Sequence, residues 1–332
     1  MVARRRARSA VKRVNLALQG GGSHGAFIWG ILDCFLEDGR LEFEGFSGTS
    51  AGSMNAVVCA SGLMEGGAEG ARTKLRAFWK DVSDYESGFI PPVAAQALRF
   101  LRQSTSPYQW NPMNVNPLRD ALKRHVDFAR LRRSSPVNLF ISATNVETGR
   151  VRIFETGELT PEVVLASACL PHFFQAVKIG SEYFWDGGYM GNPVLFPLIY
   201  KTESRDIVIL HIDPVARKGV PTSLPEIDDR LSEITFNSAL IRELRAIAFV
   251  QDLIAKGWLK KQFEDRMKHV LVHSVRADKA LGDLSVETKT SLEWSFLEEL
   301  RGRGLNAGAA WLKAHYRDLG RRQSVDLKKE FL

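Results

Sequence analysis

The stretch VNLALQGGGSHGAFIWGILDCFLEDG, residues 14–39, changes its hydrophobic pattern once. Its first part is a short apolar run stopped by glycines, the pattern of a parallel strand buried on both faces. From Gly25 to Glu37 nearly every helical face is apolar, which predicts a helix packed onto a sheet. Asp38-Gly39 ends it, with Gly39 suited to a left-handed cap. Between strand and helix, Gly20, Gly22 and Gly25 fit G-x-G-x-x-G. A loop of this kind gathers backbone N–H groups around a negative charge, either the pyrophosphate of a dinucleotide or some other anion.

The alternation of strand and helix continues outward from this stretch. FEGFSGTSAGSMNAVVCASG reads as strand, sharp turn and a helix of small residues, and Thr73–Val82 as another amphipathic helix. Residues 84–116 carry four prolines, several aromatics and one short apolar helix, Val93–Leu101. A connection this long inside a compact domain predicts a lid or binding loop. VNLFISATNVETGRVRIFE gives two strands around a turn, PEVVLASACLPHFF a helix, QAVKIGSEYFWDGGYMGNP a strand pair and DIVIL a buried strand. Beyond Lys218 the composition shifts to charged amphipathic helices, 226–256 and 291–316, with the strand-like HVLVHSV between them. The expectation is an α/β protein, a mainly parallel sheet covered by helices on both faces.

The formal net charge is +7, and its excess is local. Arg4, Arg5, Arg6, Arg8, Lys12 and Arg13 precede the first acid, Asp33, so residues 1–13 form a basic arm. Such an arm is either a solvated tail or a tether to anionic lipid. With no helix-turn-helix, zinc or RNP pattern, nucleic acid is not expected as a partner. No apolar run reaches the roughly 20 residues that span a bilayer, and the arginines are not followed by a signal-peptide pattern. Three scattered cysteines, Cys34, Cys59 and Cys169, form no CxxC pair. They are expected as buried thiols in a cytoplasmic protein, possible contact with a membrane being peripheral.

Two further motifs constrain the glycine loop. GTSAG, residues Gly48, Thr49, Ser50, Ala51 and Gly52, matches G-x-S-x-G. A serine on a tight strand-to-helix turn has its hydroxyl lifted clear of the sheet, and flanking glycines let the backbones meet. Asp186, Gly187 and Gly188 form a DGG turn that closes SEYFWDGGYMGNP and can set a carboxylate at the rim of a sheet. Each motif alone has an ordinary reading as a turn. Together they make the glycine loop an oxyanion site: backbone N–H groups of Gly21, Gly22 and Ser23 can hold the charge that develops in acyl transfer from an ester.

At these residues the chain resembles the patatin-like phospholipase family of the bacterial type. GGGSHG, residues Gly20, Gly21, Gly22, Ser23, His24 and Gly25, is similar to that family's oxyanion loop. GTSAG is similar to its nucleophile elbow, and DGG to its second catalytic block. ISATNVETG and LASACLPHFF are similar to intervening stretches of the family domain. The resemblance covers roughly Val14 to Tyr200 and implies a three-layer α/β/α fold; with the readings above, the expected organisation is a catalytic domain over 14–217 with the lid-like insertion at 84–116, then a mainly helical region over 218–332 that the resemblance does not cover. It also implies a lipid acyl hydrolase with Ser50 as nucleophile, Asp186 as base and no catalytic histidine. No cofactor or metal is called for, and the partner is a lipid ester of a phospholipid, lysophospholipid or acylglycerol. The family often has Arg or Lys where His24 stands, so any cationic role there depends on protonation of His24; otherwise it is an exposed loop residue.

Three rival readings stand beside this one. A histidine triad in the chain order Ser…Asp…His would draw on His211, His269 or His273; His172 is expected to pack near the cleft. A dinucleotide-binding oxidoreductase would use Glu42 or Glu44 as the ribose acid, but leaves GTSAG and DGG unexplained. A catalytically silent membrane-associated scaffold of the same fold is the third. Replacing Ser50 or Asp186 by Ala is expected to abolish ester hydrolysis, whereas His211→Ala, His269→Ala and His273→Ala each keep most of it; initial rates on a chromogenic ester check this.

Overall fold

The computed structural model describes residues 10–89, 105–258, 260 and 267–331. The basic arm up to residue 9 lies outside the described residues, as do the middle of the expected lid, 90–104, and the short helix expected there. Among the described residues eight strands form one sheet: β1 (Lys12–Leu18), β2 (Leu41–Gly48), β3 (Asn138–Asn145), β4 (Val151–Glu155), β5 (Val177–Ile179), β6 (Glu182–Asp186), β7 (Asp206–Leu210) and β8 (Leu271–Val275). Their order is β5-β6-β3-β2-β1-β7-β8, with β4 also on β3. The run β3-β2-β1-β7-β8 is parallel, while β4 and β6 are antiparallel to β3.

Alternation along the central strands sorts their side chains into two cores. Val14, Leu16 and Leu18 of β1 and Val208 and Leu210 of β7 face one layer. It contains α1 (Gly25–Asp38), α2 (Ala51–Phe89) and a late helix, Trp294–His315. Ala17 of β1 and Ile207 and Ile209 of β7 face the other layer, with Leu198 and the helix Leu224–Ala255. The result is the expected three-layer α/β/α arrangement. α1 ends as its sequence predicts, with Gly39 in the left-handed region at φ 68°. Thr73–Val82 is not a free-standing helix. It lies in the second limb of α2, which bends at Gly66 and at Gly67, where φ is 61°.

The region after Lys218 is built into the same sheet and layers. β8 extends the parallel run beyond β7, and Trp294–His315 lies along α1 at backbone contact. A Cβ on Gly30 would stand 2.0 Å from the Arg301 carbonyl oxygen, and one on Gly304 would stand 2.0 Å from that of Phe27. Asp33, almost fully buried, binds this seam from α1: Arg72 Nε donates to Oδ1 at 2.5 Å and Arg301 Nε to Oδ2 at 2.9 Å. A buried carboxylate with guanidinium partners on two neighbouring helices specifies how those helices meet, since losing either partner strands a charge.

Cys59 and Cys169 are buried, whereas Cys34 is only half-buried. Among the described residues, no helix is long and apolar enough to cross a membrane. Gly30→Ala tests the seam. On a free helix this exchange stabilises by about 0.5–1 kcal/mol. Here the added methyl meets backbone, so a net loss of about 1–3 kcal/mol is expected from urea denaturation.

Candidate active site

The register around β3 brings the serine turn and the DGG turn together. β4 pairs with Phe140–Thr144, so β2, paired with residues 138–141, and β6, paired with 143–145, both occupy the opposite edge of β3. Gly48, the last residue of β2, stands opposite Ile141, and Asp186, the last of β6, opposite Ala143. β6 therefore delivers Asp186 where the chain leaves β2 for Ser50.

The serine turn depends on absent side chains. A Cβ on Gly52 would lie 2.2 Å from the Leu18 carbonyl oxygen, and one on Gly48 would lie 2.8 Å from Ser53 Cα. Ser50 itself has φ 52°, a left-handed backbone that costs a non-glycine residue on the order of 1–3 kcal/mol. Its neighbours hold it there. The Ser50 N–H donates to Ser167 Oγ at 2.9 Å, while Ser53 N–H and Met54 N–H close the first turn of α2 onto the Ser50 carbonyl. Thr49 Oγ1 lies 2.7 Å from Ser142 Oγ and donates to the Gly191 carbonyl at 2.8 Å.

Asp186 is 1% exposed. Its Oδ1 accepts the Gly188 N–H at 2.7 Å, and its main chain is tied by Cys169 and Thr144, at 2.8 Å each. Its Oδ2 is buried and accepts no hydrogen bond of full geometry. Desolvation pushes its pKa up to about 7, against the weaker pull of the Gly188 N–H and the nearby Ser50 hydroxyl. Ser50 thus lies close enough to favour the carboxylate without closing a well-formed bond, as is common before substrate binds.

The glycine loop runs over the same point. A Cβ on Gly20 would be 2.6 Å from Ser50 Cβ. Gly20 donates its N–H to Asn192 Oδ1 at 2.6 Å, so that amide is already used. The 3-10 turn Gly22–His24 begins with Gly22 at φ 59° and consumes the N–H groups of His24 and Gly25. The amides of Gly21, Gly22 and Ser23 are left without an acceptor among the described residues. Gln19 fixes the base of the loop: its Oε1 accepts from Ile212 N and Asp213 N at 2.6 and 2.8 Å, and its Nε2 donates to Asn237 Oδ1 at 3.0 Å.

Several expectations change at this point. His24 is neither exposed nor a cation. It is 4% exposed, and burial, with Lys289 and Arg303 nearby, lowers its pKa to about 3. Ser23 turns its hydroxyl away from Ser50, onto the Thr288 carbonyl at 2.8 Å. His172 is exposed instead of packed. His211 is buried, its pKa lowered to about 3 mainly by that burial, and His273 bonds Asp206 Oδ1 at 2.9 Å; His269 is exposed. None of these three is hydrogen-bonded to Ser50 or Asp186 among the described residues. Glu44, a candidate ribose acid, instead receives the N–H groups of Glu203 and Ser204 at 2.7 Å each, and Glu42 pairs with Arg13. Asn192, Ser167 and Gln19 were not singled out by their local sequence. Two cavities, of about 510 and 360 Å³, are lined by residues that include Arg217 and Arg230, and Phe196 and Ile247; neither set includes Ser50 or Asp186.

A family model described as patatin-like phospholipase matches residues 16–199, more than half of the chain, and the chain belongs to that family. No curated protein matches it. Among solved structures it is similar to VipD from Legionella pneumophila, at 14% identity and a TM-score of 0.38 over 89% of this chain and 67% of that one. It is also similar to ExoU from Pseudomonas aeruginosa, solved in complex with SpcU, at 17% identity and a TM-score of 0.32 over 90% of this chain. The match spans about half of that chain, 53%.

The raised pKa of Asp186 has a consequence for stability. A folded value near 7, against 3.8 ordinarily, means that the folded state holds the proton more tightly. The stabilising contribution is therefore present at low pH and lost as pH rises through about 7. Asp186→Asn, which carries no charge, is expected to gain stability relative to the parent between pH 5 and pH 8, as measured by urea denaturation at both.

Proposed function

We propose that the chain is a serine lipid acyl hydrolase, cleaving carboxylic esters of phospholipids, lysophospholipids or acylglycerols through an acyl-enzyme on Ser50. One observation carries the reading: a buried carboxylate oxygen of Asp186, without a full hydrogen bond, beside the hydroxyl of a strained elbow serine. The Ser50 hydroxyl attacks the ester carbonyl and its proton passes to Asp186. Amides of Gly21, Gly22 and Ser23 receive the oxyanion. Collapse of the tetrahedral intermediate expels the alcohol, which takes the proton from Asp186. Water then attacks the acyl-enzyme, giving its proton to Asp186, which passes it to the Ser50 oxygen as the fatty acid leaves, so both residues end as they began.

An ordinary aspartate, with a pKa near 4, is a weak base for a serine hydroxyl. Desolvation narrows that gap from the carboxylate side. The amides at the start of α2 favour the alkoxide from the other, through the partial positive charge of a helix terminus. Family membership supports lipid hydrolysis, and no histidine is required.

A fluorophosphonate probe tests the reading against a silent scaffold. Covalent labelling is expected on Ser50, identified by peptide mass spectrometry, and absent in Ser50→Ala. Asp186→Asn is expected to lower ester turnover by at least about 10³-fold, since the general base and its charge are both removed. The rate must fall on the acid side, because a protonated Asp186 cannot accept the serine proton. The kcat/KM profile is expected to lose activity below pH about 7; full activity at pH 5 would exclude Asp186 as the base with this pKa.

A further inference from the structure

The amides that would receive the oxyanion are held from outside the family-matched residues. The short 3-10 turn Val286–Thr290 lies against the turn Gly22–His24. Three contacts join them. Ser23 Oγ donates to the Thr288 carbonyl at 2.8 Å. His24 Nε2 lies 2.7 Å from Thr288 Oγ1. The Lys289 carbonyl oxygen stands 2.3 Å from where a Gly22 Cβ would be, so this backbone closes over the left-handed glycine.

The proton inventory fixes the sense of the middle contact. Thr288 has one hydroxyl proton, and it donates to the Ser285 carbonyl at 2.6 Å. Thr288 Oγ1 must therefore accept from His24, which carries its proton on Nε2. Neutral His24 supplies a directed bond in this position where a flexible cation would not. The strap is itself anchored: Lys289 forms an ion pair with buried Asp213, whose N–H is bound by Gln19, and Val286 N–H donates to Asp229 Oδ2 at 3.2 Å.

We propose that Thr288 is a positioning residue of the hydrolase: through Ser23 and His24 it holds the amides of Gly21, Gly22 and Ser23 in the geometry that receives the oxyanion. The inference rests on the acyl-hydrolase reading for its catalytic part, while the mechanical hold on the loop is independent of it. An oxyanion receiver works by being arranged before charge develops, so a loosened loop lowers turnover with little effect on ground-state binding.

Thr288→Val removes the hydroxyl at nearly constant volume, and Thr288→Ser restores it. Two readouts are taken on the full chain: hydrogen exchange over residues 19–26 by mass spectrometry, and kcat and KM on para-nitrophenyl butyrate. The expectation for Thr288→Val is faster loop exchange and a kcat lowered about 10- to 100-fold with KM within about twofold; Thr288→Ser recovers both. Ser23→Ala, which keeps the amide and removes one tie, is expected to change both readouts in the same direction and serves if Thr288→Val does not fold. Unchanged loop exchange in the folded variants overturns the hold, and a loosened loop with unchanged kcat overturns the positioning role. A parent chain that hydrolyses no ester overturns the hydrolase reading, and with it the catalytic part, while faster exchange in Thr288→Val still supports the hold.

Discussion

Backbone meeting backbone at the ends of β1 and β2 is the constraint from which the site follows. Gly20, Gly48 and Gly52 lie where any Cβ would collide with the neighbouring turn or strand. The elbow can therefore press Ser50 against the glycine loop. A methyl at any of the three would separate the hydroxyl from the amides above it. Contact at this range makes the arrangement rigid, and rigidity gives fixed amides an advantage over mobile water in receiving charge.

The burial of Asp186 is coherent with that constraint. The carboxylate loses solvent where β6 takes over the edge of β3 as β2 ends, with the helices Pro161–Ser167 and Leu224–Ala255 packed against β6 and the turn that follows it. One oxygen is satisfied by Gly188 and the other is left toward Ser50. Burial without a second partner is costly for an anion, and the group responds by holding its proton more tightly. The same circumstance that makes the residue a better base also makes it a local source of instability at higher pH, a common exchange at functional sites.

Much of this was legible in the chain because the signals are short and local. The glycine loop, GTSAG and DGG each need only neighbouring residues, and the periodicity of Val14–Gly39 defines its strand and helix. The supports were not legible, because they arrive from far along the chain. Ser167 reaches Ser50 across 117 residues, and Asn192 reaches Gly20 across 172. Neither carries a pattern of its own; a serine within LASAC and an asparagine before proline are ordinary. His24 illustrates the limit from the other side. Its place in the loop pointed to solvent and charge, but a segment more than 260 residues away covers it and holds it neutral. Thr73–Val82 was legible as helical but not as part of α2, since the bend at Gly66-Gly67 looks like a terminator until packing holds the two limbs together.

The late arrival of β8 and the helix Trp294–His315 has a bearing on how the chain is born. During synthesis the loop, the elbow and the DGG turn all emerge before either element exists. Until Leu297, Leu300 and Leu312 have been made, the α1 face that they cover remains naked, and the outer edge of β7 lacks its parallel neighbour. A nascent polypeptide at that stage exposes a greasy helix and an open sheet rim, the two surfaces most prone to sticking. Completion of the sheet rim and of the seam on α1 therefore waits for residues 271–315.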